Sequence, residues 1–179
     1  HIFLRRALQD AKLTEKDVKL VLLQHPDGKL ALARGDVDAW AGLDPIMAAA
    51  EAEFGAKLFF RRANWNTWGV LNVSEEFAKK YPDLVTRVLK VYEDARKQSV
   101  AEPAALKASL IAATKLPDAV IDRQIARTDI TSGAIGAEQA KTILEAGLAL
   151  QSAGVIPGDA DVKSAVDALI EPRFVATKA

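Results

Sequence analysis

No cysteine occurs among the 179 residues, so disulfides, thiolate metal sites, CxxC redox chemistry and thiol nucleophiles are excluded. Histidine is nearly as scarce, with only His1 and His25. Zinc sites built on histidine pairs and Ser-His-Asp hydrolysis therefore lack their parts. Net charge is missing as well: 24 Lys+Arg balance 24 Asp+Glu. Nothing in that balance draws in nucleic acid phosphates or an anionic membrane surface, so any ligand must be recognised by local groups and no nucleic acid partner is expected. Charged residues interrupt every hydrophobic run before the roughly 18 to 20 residues that span a bilayer. The glycine pattern of a nucleotide-phosphate loop is absent too, and no cofactor or metal is expected. What is present is a 50% hydrophobic, 27% charged composition, that of a soluble domain able to bury a core.

The chain opens directly on HIFLRRALQDAKL, an amphipathic helix with Ile2, Phe3, Leu4, Ala7, Leu8 and Ala11 on one side. No initiator Met and no helix-start signal precede it, and a missing upstream segment is expected. Val18 to Leu23 reads as a buried strand ended by the turn His25-Pro26-Asp27-Gly28. Lys29 to Arg34 reads as a short helix stopped by Gly35, and Asp36 to Ala41 as a second strand. Asp44-Pro45 starts a helix through Phe54, because Asp accepts backbone N–H bonds and Pro suits the first helical position. Lys57 to Phe60 and Trp68 to Val73 make a third and a fourth strand. From Ser74, an N-cap, everything reads as helix: Pro82 to about Val100, Ala104 to Ala113, Pro117 to about Thr128, Ala137 to about Ala153, and a short one after Asp161. The expected fold class is α/β over 1–73, followed by helices over 74–179.

In open parallel sheets ligands bind beyond the carboxyl ends of the strands, where helix N-termini converge. That rule nominates the loops Gln24 to Asp27, Gly42 to Asp44 and Arg61 to Thr67. They offer the free N–H groups of the Pro45 helix as an anion site, with Asn64, Trp65, Asn66, Thr67 and Trp68 in one polar loop. Indole rings clamp organic ligands and supply a donor. Trp40 and Trp68 fit such a clamp and interior packing alike, whereas Trp65, set between two asparagines, points to exposure and binding. Arg61 and Arg62 read as solvated cations. Asp38 and Asp44 as a carboxylate pair for acid-base work is the less economical reading, since helix capping explains Asp44.

The runs HIFLRRALQDAKLTEKDVKLVLL and GDVDAWAGLDPIMAAAEAEFGAKLF, with VLNVSEEFAKKYPDLVTRVLKVYEDARK and QSAGVIPGDADVKSAVD, together resemble the second lobe of ABC-transporter substrate-binding proteins for aliphatic sulfonates, taurine and nitrate. The most specific block is Gly35 to Trp40 with Asp44-Pro45. The resemblance implies a type II periplasmic-binding-protein fold without its N-terminal lobe. It also implies a small-molecule anion as ligand, an ABC permease as membrane partner, no catalysis, and a periplasmic or membrane-anchored extracytoplasmic location. It carries ligand binding onto Trp40 and Asp44, and onto Asn64, Trp65, Thr67 and Trp68 in the loop before the return strand. Leu43 stands where the family commonly has a second Trp, so the pocket wall differs, and the basic, aromatic RRANWNTW loop favours a larger organic anion. Two other classes share the scaffold: an enzyme resembling thiamine-pyrimidine synthases, which would carry clustered His or Cys chemistry, and a ligand-sensing regulatory domain, which would adjoin a DNA-binding or kinase segment. The chain on its own, being one lobe plus helices made to pack elsewhere, is expected either to self-associate so as to cover its exposed helical faces or to be completed by residues outside this sequence.

Overall fold

The computed structural model describes residues 2–65 and 68–174. Their regular structure is helical: α1 (Ile2–Asp10), α2 (His25–Arg34), α3 (Ile46–Phe54), α4 (Glu75–Lys80), α5 (Pro82–Ala101), α6 (Pro103–Thr114), α7 (Asp118–Arg127), α8 (Ala137–Ser152) and α9 (Val162–Leu169). Short 3-10 turns occur at Glu15–Asp17 and Pro172–Phe174.

The α/β lobe expected from the sequence is therefore corrected to an all-helical arrangement. Among the described residues no strand forms. A strand exists only by exchanging N–H and C=O bonds with a neighbour, and no backbone hydrogen bond joins any of the segments 18–23, 36–41, 57–60 and 68–73 to another. Apolar, β-branched composition marks a segment that suits a sheet; it does not supply the second strand. The consequence is visible at the surface, where Leu22 is 80% and Phe59 82% exposed. The HPDG turn is corrected as well. Gln24 caps α2 with extended backbone and Pro26 sits in its first turn, a position where the missing N–H costs nothing, so these residues begin a helix instead of ending a strand.

The helix boundaries follow the local chemistry that the sequence carries. Gly35 (φ 76°) and Gly55 (φ 72°) close α2 and α3 in the left-handed conformation that glycine adopts without a Cβ penalty. Ser74 Oγ accepts from Phe77 N at 3.2 Å to open α4, and Asp161 Oδ1 accepts from Ser164 N at 2.9 Å to open α9.

The chain divides into two compact units, one built from 3–62 with 102–129 and the other from 63–101 with 130 onward. In the first, α3 packs on α2 and α7, and α6 packs on α7. Its core is Ala48 and Ala49 against Val120, with Leu116 alongside. Three consecutive alanines, Ala48 to Ala50, let α7 approach closely. Val120 and Ile121 are the largest fully buried side chains, each worth roughly 1.5–3 kcal/mol of apolar burial.

In the second unit α8 packs on α9 and α4 on α5. Gly147 permits the first contact, since a Cβ there would stand 2.6 Å from Val162 Cγ1. Gln151 Nε2 closes the α8–α9 connection by donating to the carbonyls of Pro157 (3.0 Å) and Ala160 (2.8 Å). Arg96 of α5 holds the following loop: its Nη1 donates to the carbonyls of Ile130 and Thr131, each at 2.9 Å, while Glu93 takes its other face at 2.7 Å through both carboxylate oxygens.

Candidate functional site

Trp40 lies in the first unit, partly buried. Its indole fits against two glycines: a Cβ at Gly28 would stand 2.6 Å from Cδ1, and one at Gly42 2.6 Å from Cζ3. The His25 ring meets it edge-on, with centroids 6.1 Å apart at 66°. His25 Nδ1 is itself buried with no hydrogen-bond partner among the described residues. The two glycines therefore do for the ring what no side chain could, by leaving the backbone bare where a flat indole lies.

Asp44 stands just ahead of α3. Its Oδ1 accepts from Ala48 N at 3.0 Å and faces Arg127 Nη1 at 3.5 Å. Capping from this position is the role its sequence context predicts, shifted by one residue because Pro45 occupies the N-cap. The amide of Met47 is also engaged, donating to the Leu43 carbonyl at 2.9 Å. The start of α3 thus satisfies the amides of Met47 and Ala48 from within the chain.

Arg127 extends this cluster in a way the sequence did not signal. Its Nη2 pairs with Glu51 Oε2 at 2.7 Å, and Arg123 reaches the same oxygen at 3.4 Å. Eighty-three residues separate Asp44 from Arg127. The only local trace is that Arg123 and Arg127 share one face of α7 at i, i+4 spacing. Arg61, read as a solvated cation, donates through Nη2 to the Arg127 carbonyl at 3.0 Å. Arg62 lies over the Phe60 ring at 4.9 Å and faces Asp10 at 3.9 Å.

Asn64, Trp65 and Trp68 fall in the second unit. Asn64 and Trp68 are exposed and Trp65 is half-buried. Thr67 and Asn66, like His1, lie outside the described residues. Among the described residues no three His, Asp or Glu side chains gather as they would around a metal ion, and no helix is long and apolar enough to cross a membrane.

Two relatives give this geometry a context. The chain is 31% identical over 81 residues to a protein of Bacillus subtilis (strain 168), covering 44% of this chain and 24% of that protein. It is 30% identical over 109 residues to one of Escherichia coli (strain K12), covering 56% of this chain and 34% of that protein. Each is described as a "Putative aliphatic sulfonates-binding protein". Both descriptions name binding and neither names a reaction. The chain spans about a quarter to a third of the length of these curated relatives. No family model matches it, and no solved structure matches it significantly.

Proposed function

We propose that this chain belongs to the solute-binding component of an ABC importer, which holds a small organic anion of the sulfonate, taurine or nitrate kind and delivers it to a membrane permease from the periplasm or another extracytoplasmic face. The observation that carries this reading is the similarity to two bacterial proteins described as aliphatic sulfonates-binding. The residue chemistry agrees with it. Trp65 and Trp68 offer apolar faces to an alkyl or aryl group. Asn64 and Thr67 offer neutral donors to anionic oxygens, a mode that binds an anion without neutralising it by a dedicated cation. Asp44 acts through the backbone, accepting from Ala48 N at the start of α3.

Binding followed by release needs no nucleophile or proton relay, in keeping with the scarcity of histidine and the absence of cysteine. The test is a thermal-shift titration of the protein with ethanesulfonate, taurine and nitrate, with acetate as the comparison anion. A ligand that binds only the folded state at a hundred times its Kd stabilises by about 2.7 kcal/mol, so a saturable rise in melting temperature with at least one sulfonate or nitrate is expected. A flat response to all three overturns the proposal.

A further inference from the structure

We infer that the outward side of α5 is a self-association surface, on which the α5 helices of two copies of this chain pack antiparallel about a two-fold axis.

The helix is two-sided. Val85 is 8% exposed, and Glu93 and Arg96 are only partly exposed, Arg96 being held against the carbonyls of Ile130 and Thr131. That side belongs to the second unit. Leu84, Val88, Val91 and Ala95 are exposed instead, Val91 at 66%. Their spacing of four, three and four residues sets them in one row along the helix, about 17 Å long. Tyr92, also exposed, widens the row on the side toward Val85. Single apolar residues on a surface call for no partner, whereas a contiguous row marks an interaction site. Alternation of three and four is the pattern that two paired helices bury between them.

Charge selects a second copy and fixes its direction. At about 100° per residue, Arg87 and Asp94, seven residues apart, share the flank of the row that faces away from Val85. Both are exposed. Arg87 has no ion-pair partner among the described residues, and Asp94 meets Lys90 at 2.7 Å in an exposed pair of the kind that contributes little. The remaining charges of α5 stand clear of this contact. Lys90 and Lys97 lie on the side opposite the row, and Glu93 and Arg96 bind each other at 2.7 Å. Asp83 shares the flank in the first turn.

Arg87 and Asp94 lie on either side of the middle of the row, so the surface is its own complement when one copy is turned end for end. With Val88 of each copy against Val91 of the other, Leu84 meets the small Ala95. In that register Arg87 lies beside the other copy's Asp94, and Asp83 beside the neutral Gln98. A two-fold axis makes each of these contacts twice, as a self-complementary interface requires. Parallel packing would instead bring together flank positions five residues apart. It would set Arg87 beside Tyr92 and Asp94 beside Ser99, and pair no opposite charges. With a net charge of zero, no long-range repulsion opposes the encounter of two copies.

Sedimentation velocity of the 179-residue chain from about 10 to 500 μM, a range that brackets dissociation constants typical of small transient interfaces, tests the proposal. A concentration-dependent dimer is expected. Val91→Asp is expected to abolish it while far-UV circular dichroism stays unchanged, because this side chain is mostly in solvent and Asp and Val have similar helix propensity. Arg87→Glu should weaken the dimer about tenfold by setting like charges together, and adding Asp94→Arg should restore it. A monomer throughout the range overturns the proposal. So does a dimer that Val91→Asp leaves intact, which would place the interface elsewhere. A dimer that Arg87→Glu weakens and Asp94→Arg fails to restore overturns the antiparallel arrangement.

Discussion

The indole of Trp40 lies over Gly28 so closely that a β-carbon added there would stand 2.6 Å from its Cδ1. Two effects oppose one another in Gly28→Ala. Alanine improves the helix propensity of α2 by about 1 kcal/mol, whereas forcing a methyl into a filled space costs about 1–3 kcal/mol. The ring lies against both Gly28 and Gly42, so the steric cost wins. Gly28→Ala is expected to lower the denaturation midpoint and shift the tryptophan emission. Gly158→Ala, where a Cβ meets nothing within 4 Å, is the neutral comparison. A Gly28→Ala variant as stable as the parent would show that the indole is loosely held.

Arg127 and Glu51 join α7 to α3 with both side chains largely buried, at 17% and 15% exposure. Removing one member leaves the other charge with poor access to water. Arg127→Met is expected to destabilise by about 2–4 kcal/mol, slightly below the figure for a fully buried pair. Arg127→Met combined with Glu51→Met should recover part of that loss, since Glu51 is not left charged without Arg127, while Asp44 and Arg123 still lose their partners. Urea melts of the two single variants and the double variant, read as a double-mutant cycle, measure this directly. Strict additivity would mean that the pair contributes nothing beyond its separate members.

Glu93 titrates at about 2 in the folded chain, against an ordinary value of 4.5, and the hydrogen bonds from Arg96 are the largest cause. A depressed carboxyl pKa means that the unfolded chain binds the proton first. The pair therefore stabilises fully above about pH 4.5, and the contribution is lost as pH falls toward about 2. Below pH 4.5 the wild-type protein should lose stability more steeply than Glu93→Gln, with the loop at Ile130 and Thr131 released from Arg96 as the carboxylate protonates. Urea midpoints measured at intervals across that window decide it, and parallel curves for the two proteins would refute the role assigned to Glu93.

The helices were legible because their signals are local. Gly35 and Gly55 terminate, Ser74 and Asp161 cap, and proline opens α5 and α6, each within a turn of the boundary it sets. The sheet was misread because a strand needs a partner, and DVKLVLL declares its own preference without naming one. The HPDG segment shows the same limit on a smaller scale: Pro and Gly are compatible with a turn and with a first helical turn alike, and the surroundings decide. Of the candidate site, capping by Asp44 could be read from Asp-Pro alone. Its neighbour Arg127 could not, since only tertiary packing brings α7 to α3.

Variants of Trp40 and Trp65 test the packing and binding uses of tryptophan separately. Trp40→Ala empties the space over Gly28 and Gly42 and is expected to lower stability by about 3–5 kcal/mol, as large aromatic truncations do; affinity then falls together with the folded population. Trp65, half-buried in a polar loop of the second unit, is expected to behave differently. In calorimetric titrations with whichever sulfonate or nitrate raises the melting temperature, Trp65→Ala should weaken binding about tenfold or more, equivalent to about 1.4 kcal/mol, with the ligand-free melting temperature nearly unchanged. Trp65→Phe should recover part of the affinity, because a smaller ring keeps the apolar face but loses the indole donor. Unaltered affinity in Trp65→Ala would remove this residue from the site, and a large loss of stability without ligand would reassign it to packing.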